Sequence, residues 1–248
     1  MNAYYGGKEI KMMKNNTTTK IETCYGDKAY ETIQELAEGV NCGDMLAAYY
    51  LAQYYEEGVV VPQDFDKAAE LYKLVSEFRE SLVFADPYMP LTPQCEAEYA
   101  VGCLYENGLL TNSSMEKAIE WFQRSVKDGG HEASFKMAKL HLEGLYIERD
   151  YDEAASYLYH GYLNYGHNDP NMFKLACELD GKTSTWQDVI CEVLAHCYER
   201  GVGVFQDDMR AEEYRSRYLE KRFKMFDQAL EKCSNTNNDD AKGEGFSF

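Results

Sequence analysis

The side chains best suited to chemistry in this sequence are five histidines and eight cysteines, and their spacing does little to join them. His196 lies between Cys191 and Cys197 on one predicted helix. Imidazole and thiolate together suit zinc, but a helical zinc pair places its ligands one turn apart on one face, at i and i+4. Cys191 and His196 miss that register, and no CxxC pair accompanies them, so no metal site is expected. His141 falls in a column otherwise filled by packing tyrosines, while His131 and His167 open helices in the positions of polar caps. No Gly-rich phosphate loop, nucleophile elbow or Ser/His/Asp set stands out. The expectation is a protein that is not an enzyme, with no catalytic residue and no cofactor.

The elements that would carry such residues are repeated. Ala47 to Tyr72 reads as two short helices joined by a turn at Gly58. Ala47, Leu51, Ala52 and Tyr55 share one helical face, and Ala68, Leu71, Tyr72 and Val75 share another. Gly58 suits the left-handed residue that ends a helix, and Asp64 suits the cap that starts the next. The pattern returns at Gly108, Gly144 and Gly201. Six residues beyond each glycine stand Asp64, Ser114, Asp150 and Asp207; ten beyond stand Ala68, Ala118, Ala154 and Ala211. Before the glycines come the columns Leu51, Val101, Met137, Leu194, then Ala52, Gly102, Ala138, Ala195, then Tyr55, Tyr105, His141, Tyr198.

These columns resemble the Sel-one-like repeats, a longer relative of the tetratricopeptide repeat. Ala47 to Tyr72 matches most of that pattern, including the tail VPQDFDKAAELY. Ala97 to Phe122 matches through Val101-Gly102, Tyr105, Gly108, Lys117-Ala118 and Trp121-Phe122, and the last unit keeps GVGVFQDD at Gly201 to Asp208. The resemblance covers roughly residues 28 to 220. It implies an all-α fold, a right-handed α/α superhelical solenoid of helix-turn-helix repeats that holds other proteins. Extra residues interrupt the spacing around Phe78–Gln94 and Gly166–Gln187. One branch of the family is cysteine-rich and secreted, with cysteines paired at a fixed separation. Only Cys95 and Cys103 show that separation, and the cysteines do not repeat in register with the units. The thiols are therefore expected to be reduced and the protein cytoplasmic.

The domain plan follows from these readings. Residues 1–26 are expected to be a flexible N-terminal segment and 27–232 the solenoid. The solenoid divides into a capping helix at 27–38 and repeats near 45–78, 95–129, 131–166 and 188–220. A terminal helix at 211–232 and a disordered tail at 233–248 complete the chain. Residues 79–94 hold three of the five prolines and read as a packed excursion; 167–187 reads as an inserted helix starting at Pro170.

The net charge of −18 sits in the repeat body and argues against direct binding of nucleic acid or an anionic membrane. No apolar run approaches membrane length. The first functional expectation is an adaptor that binds a protein or peptide, a basic one by charge, on its concave face. The residues expected there are Tyr50, Gln53, Tyr54, Glu57, Glu98, Leu104, Asn107, Lys136, Lys139, Leu140, Val193, His196 and Arg200. The basic C-terminal helix offers a face for self-association with the acidic body. The alternative expectation is an acidic inhibitor that mimics nucleic-acid charge and blocks a nucleic-acid-binding machine. A hydrolase like those of the cysteine-rich branch ranks last, because the cysteine register is missing.

Overall fold

The computed structural model of the chain describes residues 4–5, 8–9, 33–77, 93–164, 166–183, 185–220 and 223. The excursion at 79–92, the tail at 233–248 and most of the terminal helix beyond 220 lie outside the described residues, as does most of the N-terminal segment. Two short strands, β1 (Tyr4–Tyr5) and β2 (Lys8–Glu9), pair antiparallel with Tyr4 opposite Glu9. All other regular structure among the described residues is helical: α1 (Ile33–Asn41), α2 (Met45–Glu57), α3 (Phe65–Glu77), α4 (Pro93–Glu106), α5 (Met115–Lys127), α6 (His131–Glu143), α7 (Tyr151–Leu163), α8 (Pro170–Leu179), α9 (Gln187–Arg200) and α10 over 208–220.

The turn of each repeat is built the same way. Gly58, Gly108, Gly144 and Gly201 all take left-handed dihedrals, with φ between 65° and 71°. At Gly58 an added Cβ would also meet the Gln63 side chain at 2.6 Å, so space and dihedral both select glycine. The predicted caps then close the second helices. Asp64 accepts from the Lys67 amide at 3.0 Å, Ser114 from Lys117 at 3.3 Å, Asp150 from Asp152 and Glu153 at 2.9 and 3.0 Å, and Asp207 from Arg210 at 3.0 Å. The amides of these caps tie the loop back to the first helix. Asp64 donates to the Tyr55 carbonyl at 2.9 Å, Asp150 to His141 at 3.2 Å and Asp207 to Tyr198 at 2.9 Å.

The chain divides into two units, Met1–Ser134 and Phe135–Phe248, with α6 beginning in the first and running into the second. In the first unit Leu36, Ala47, Leu51, Ala52, Ala68, Tyr72 and Val75 join Ala97, Val101 and Leu104 in one core. The first helix differs from its expected span. It covers 33–41, so Gly39 is helical; Gly43 makes the left-handed turn and Asp44 caps α2 through the Leu46 and Ala47 amides. Residues 27–32 lie outside the described residues.

In the second unit α7, α8 and α9 share a core of Ala154, Leu158, Met172, Leu175, Leu179, Ile190 and Leu194. Asp169, directly before Pro170, caps α8, accepting from the Asn171 amide at 2.8 Å, while His167 lies in the short turn ahead of it. Its apolar side is buried, and its N-terminus rests on the fourth turn, where an added Cβ on Gly203 would lie 2.6 Å from the Pro170 carbonyl oxygen. At its other end Asp180 takes a two-pronged ion pair from Arg217, 2.9 Å at the shorter contact.

The small-residue columns set how closely helices approach. A Cβ on Gly102 would stand 2.5 Å from the ring of Phe122, which is fully buried. Gly102→Ala is therefore expected to cost about 1–3 kcal/mol by overpacking and to lower the urea midpoint of unfolding. An unchanged midpoint would mean that the Phe122 ring can move aside, and Phe122→Leu should restore part of any loss.

Candidate protein-binding surface

The surface left by this packing decides which of the expected contact residues are available. Gln53 and Glu57 on α2 and Asn107, in the turn just after α4, keep solvent access. Tyr50, Tyr54, Glu98 and Leu104 do not: they are buried in the first unit at 6%, 9%, 2% and 1% exposure. In the second unit Lys136, Lys139, His196 and Arg200 keep access, whereas Leu140 and Val193 are buried. The expectation that these six residues face a partner is corrected. They lie off the columns of a single helical hairpin and are nonetheless buried.

Burial has electrostatic consequences on α2. Desolvation, and then the Glu57 carboxylate, push the Tyr54 phenol up to about 12. Burial and the adjacent Glu56 raise the carboxyl of Glu57 itself above the ordinary carboxylate range. Two carboxylates side by side thus mark the end of α2. Tyr49 donates to Glu96 across to α4 at 2.9 Å, and Tyr72 to Glu56 at 2.8 Å.

Positive charge is spent on the faces of aromatic rings. Lys67 sits over Tyr55 at 5.2 Å, Lys117 over Tyr105 at 5.4 Å and Arg210 over Tyr198 at 5.5 Å, the same pair of columns in three repeats. The Gly144 repeat departs on both sides of the pair. His141 replaces the tyrosine, and Glu153 stands where the cation would be. There the imidazole stacks on Tyr157 at 5.5 Å with its Nδ1 buried and unpartnered. The described arginines of α10 are also engaged: Arg215 pairs with Glu199 and Arg217 with Asp180.

A ladder of rings on α7 and α9 escaped the sequence reading. Trp186 and Tyr159 lie 6.1 Å apart, Tyr159 and Tyr162 stack at 6.2 Å, and Tyr162 meets His196 edge-on at 5.5 Å. The i, i+3 spacing of Tyr159 and Tyr162 was a visible signal; the approach of Trp186 depends on the loop before α9. Thr183 fixes that loop by hydrogen-bonding to Asp152 and accepting from the Trp186 amide at 3.1 Å. His196 is held by the His167 carbonyl, 3.0 Å from its Nε2.

Among the described residues no group of three or more His, Cys, Asp and Glu side chains converges as a metal site. Among the described cysteines Cys42, Cys177 and Cys197 are free thiols, and Cys95 and Cys103 lie together on α4. No described helix is long and apolar enough to cross a membrane.

The family model for the Sel1 repeat matches residues 46–76, 95–130, 131–159 and 191–214. No curated protein matches the sequence. Among solved structures, a Sel1 repeat protein from Oxalobacter formigenes is 21% identical with a TM-score of 0.48, over 81% of this chain and 48% of that one. A protective antigen of uropathogenic Escherichia coli strains displaying an SLR fold is 19% identical with a TM-score of 0.44, over 75% and 40%. The chain spans less than half the length of either protein.

Burial, followed by the nearby Cys177, pushes the Cys197 thiol from the ordinary 9.0 up to about 12. Its proton is therefore held more tightly in the folded chain. The resulting stabilisation is complete below the free-thiol value and is lost as the pH climbs through 9 toward 12. Alkylation of the native protein at neutral pH should label exposed Cys42 and spare Cys197 until denaturant is added. Equal labelling of the two in the native state would contradict this burial.

Proposed function

From the premise that the chain is a Sel1-repeat protein, we propose that it is a non-catalytic adaptor that holds a polypeptide partner on the exposed sides of its first helices. Sel1-repeat proteins are generally protein-interaction modules, and four repeats are present here. The observation that carries the reading is the division within each first helix. The small and aliphatic columns are buried, while Gln53, Glu57 and Asn107 in one unit and Lys136, Lys139, His196 and Arg200 in the other stay accessible. Helical repeats present contact residues in this way because packing consumes only some positions of each helix.

A basic partner suits the net charge of −18, since like charge across an interface costs several kcal/mol and opposite charge speeds encounter. The same charge disfavours direct contact with nucleic-acid phosphates. The compartment that fits reduced thiols is the cytoplasm.

Affinity capture from nuclease-treated lysate of the source cell, at low and high salt, tests the reading. A stoichiometric polypeptide partner that survives high salt is expected. Alanine at Gln53, Glu57 and Asn107 together, or at Lys136, Lys139 and Arg200 together, should weaken its binding about tenfold in at least one set. Full retention by both sets would overturn the first-helix surface. Capture only of a nucleic-acid-binding protein, lost at high salt, would favour charge mimicry instead.

A further inference from the structure

Six aromatic side chains among the described residues carry a cation of the same chain over the ring, and the rings of the ladder on α7 and α9 do not. Tyr55, Tyr105, Trp121, Tyr151, Tyr198 and Tyr214 each have a lysine or arginine of the same chain over the ring, at 4.6 to 6.0 Å. Trp186, Tyr159 and Tyr162 are half-buried rings of the same kind, but among the described residues no lysine or arginine lies over them. The negative face of an aromatic ring attracts a cation, and two or three such faces with a carboxylate beside them attract it more strongly.

The carboxylate is present. Glu192 lies one helical turn before His196 on α9, and its charge reaches Tyr162: burial first, and then Glu192, push that phenol above its ordinary value. Glu199, further along the helix, is already neutralised by Arg215, whereas no lysine or arginine among the described residues pairs with Glu192. The platform is also pre-organised. Thr183 fastens the Trp186 loop to Asp152 at the start of α7, and the His167 carbonyl holds the His196 ring. Rings held in place before binding lose little freedom on binding.

We infer that the ladder of Trp186, Tyr159, Tyr162 and His196, with Glu192 at its side, seats an arginine or lysine side chain from a basic segment of the polypeptide partner. This rests on the reading that the repeats hold a polypeptide, and it names the chemistry recognised. An arginine fits best, because its planar guanidinium can stack on one ring while donating to the carboxylate. Nucleic-acid bases also stack on such rings, but they would bring phosphates to a body of net charge −18.

The full chain carrying Trp121→Phe leaves Trp186 as its single tryptophan, so emission reports directly on the ladder. The probe is a capped peptide of alternating glycine and arginine, compared with its glycine–glutamate counterpart and with single-stranded oligo-dT. The arginine peptide is expected to change Trp186 emission saturably, and the other two are not. Tyr162→Leu should weaken the arginine peptide about tenfold and Glu192→Gln about threefold. Glu148→Gln, which removes an exposed carboxylate from the Gly144 turn, should leave it unchanged. Glu192→Gln has no intrachain ion pair among the described residues to lose, so it remains a fair test where Tyr162→Leu fails to fold. Equal affinity in wild type, Tyr162→Leu and Glu192→Gln would overturn the seat, as would the absence of a saturable response or tighter binding of oligo-dT. A captured partner indifferent to Tyr162 and Glu192 would remove this seat while leaving the adaptor reading in place; loss of all polypeptide binding in the wild type would remove both.

Discussion

The structure depends on a tight turn made from a left-handed glycine and a capping residue six positions later. The glycine reverses the chain where a Cβ would be strained, and at Gly58 would also collide with Gln63. The cap satisfies first-turn amides of the second helix that would otherwise lack partners. In three repeats the amide of the cap donates to the carbonyl at the end of the first helix, so one residue fastens both helices. Such a clamp fixes the angle of the hairpin locally, and the apolar faces are then left pointing at the next hairpin. Packing between hairpins follows from the turn rather than competing with it.

What the clamp aims, small residues admit. Gly102 lets α4 sit against Phe122, and Gly161 lets α7 sit against Phe135, where an added Cβ would lie 2.4 Å from the ring. The inserted helix α8 uses the same device at Gly203 and then reaches α10 through Asp180. Asp180 also accepts from Gln187 at 2.6 Å, so one carboxylate joins the end of α8, the start of α9 and α10. The second unit thus builds the insertion into its core instead of leaving it on the surface.

Short-range features were legible in the sequence because their causes are short-range. Gly58 and Asp64 lie within one loop, and the requirement for left-handed dihedrals and a capping oxygen is written in those residue types. The available surface was not legible to the same degree. Tyr50, Leu104, Leu140 and Val193 look free on a wheel drawn for one hairpin, yet they are buried once neighbours stack. Tyr50 and Leu104 join a core that draws on four helices and Val193 one that draws on α7, α8 and α9, a sharing that no periodicity within one repeat encodes. Glu98 is the sharpest case, a carboxylate at 2% exposure in a column where other repeats place Ala48, Ser134 and Cys191. Gln53 within α2, Asn107 just past α4 and Arg200 at the end of α9 stay accessible.

The balance of charge ties the fold to its surface. The chain has 25 lysines and arginines against 43 acids, and several of the described cations are engaged with rings or carboxylates of the chain itself. Lys67, Lys117 and Arg210 cover the tyrosines beside the turns, Lys73 and Arg124 cover Trp121, and Arg215 and Arg217 bind α10 to its neighbours. Lys67, Arg210, Arg215 and Arg217 also pair with Asp64, Asp207, Glu199 and Asp180, and with 43 acids against 25 cations the excess carboxylates have no cation to pair with. The Gly144 repeat carries the trend further, with Glu153 where its counterparts hold a cation and Tyr157 stacked on a histidine instead. On α7 and α9 the same economy leaves rings with no cation from the chain's own described residues. A surface that supplies both aromatic faces and unneutralised carboxylate is complementary to a basic side chain. The proposed seat would take from a partner the cation that Tyr55, Tyr105 and Tyr198 receive within the chain.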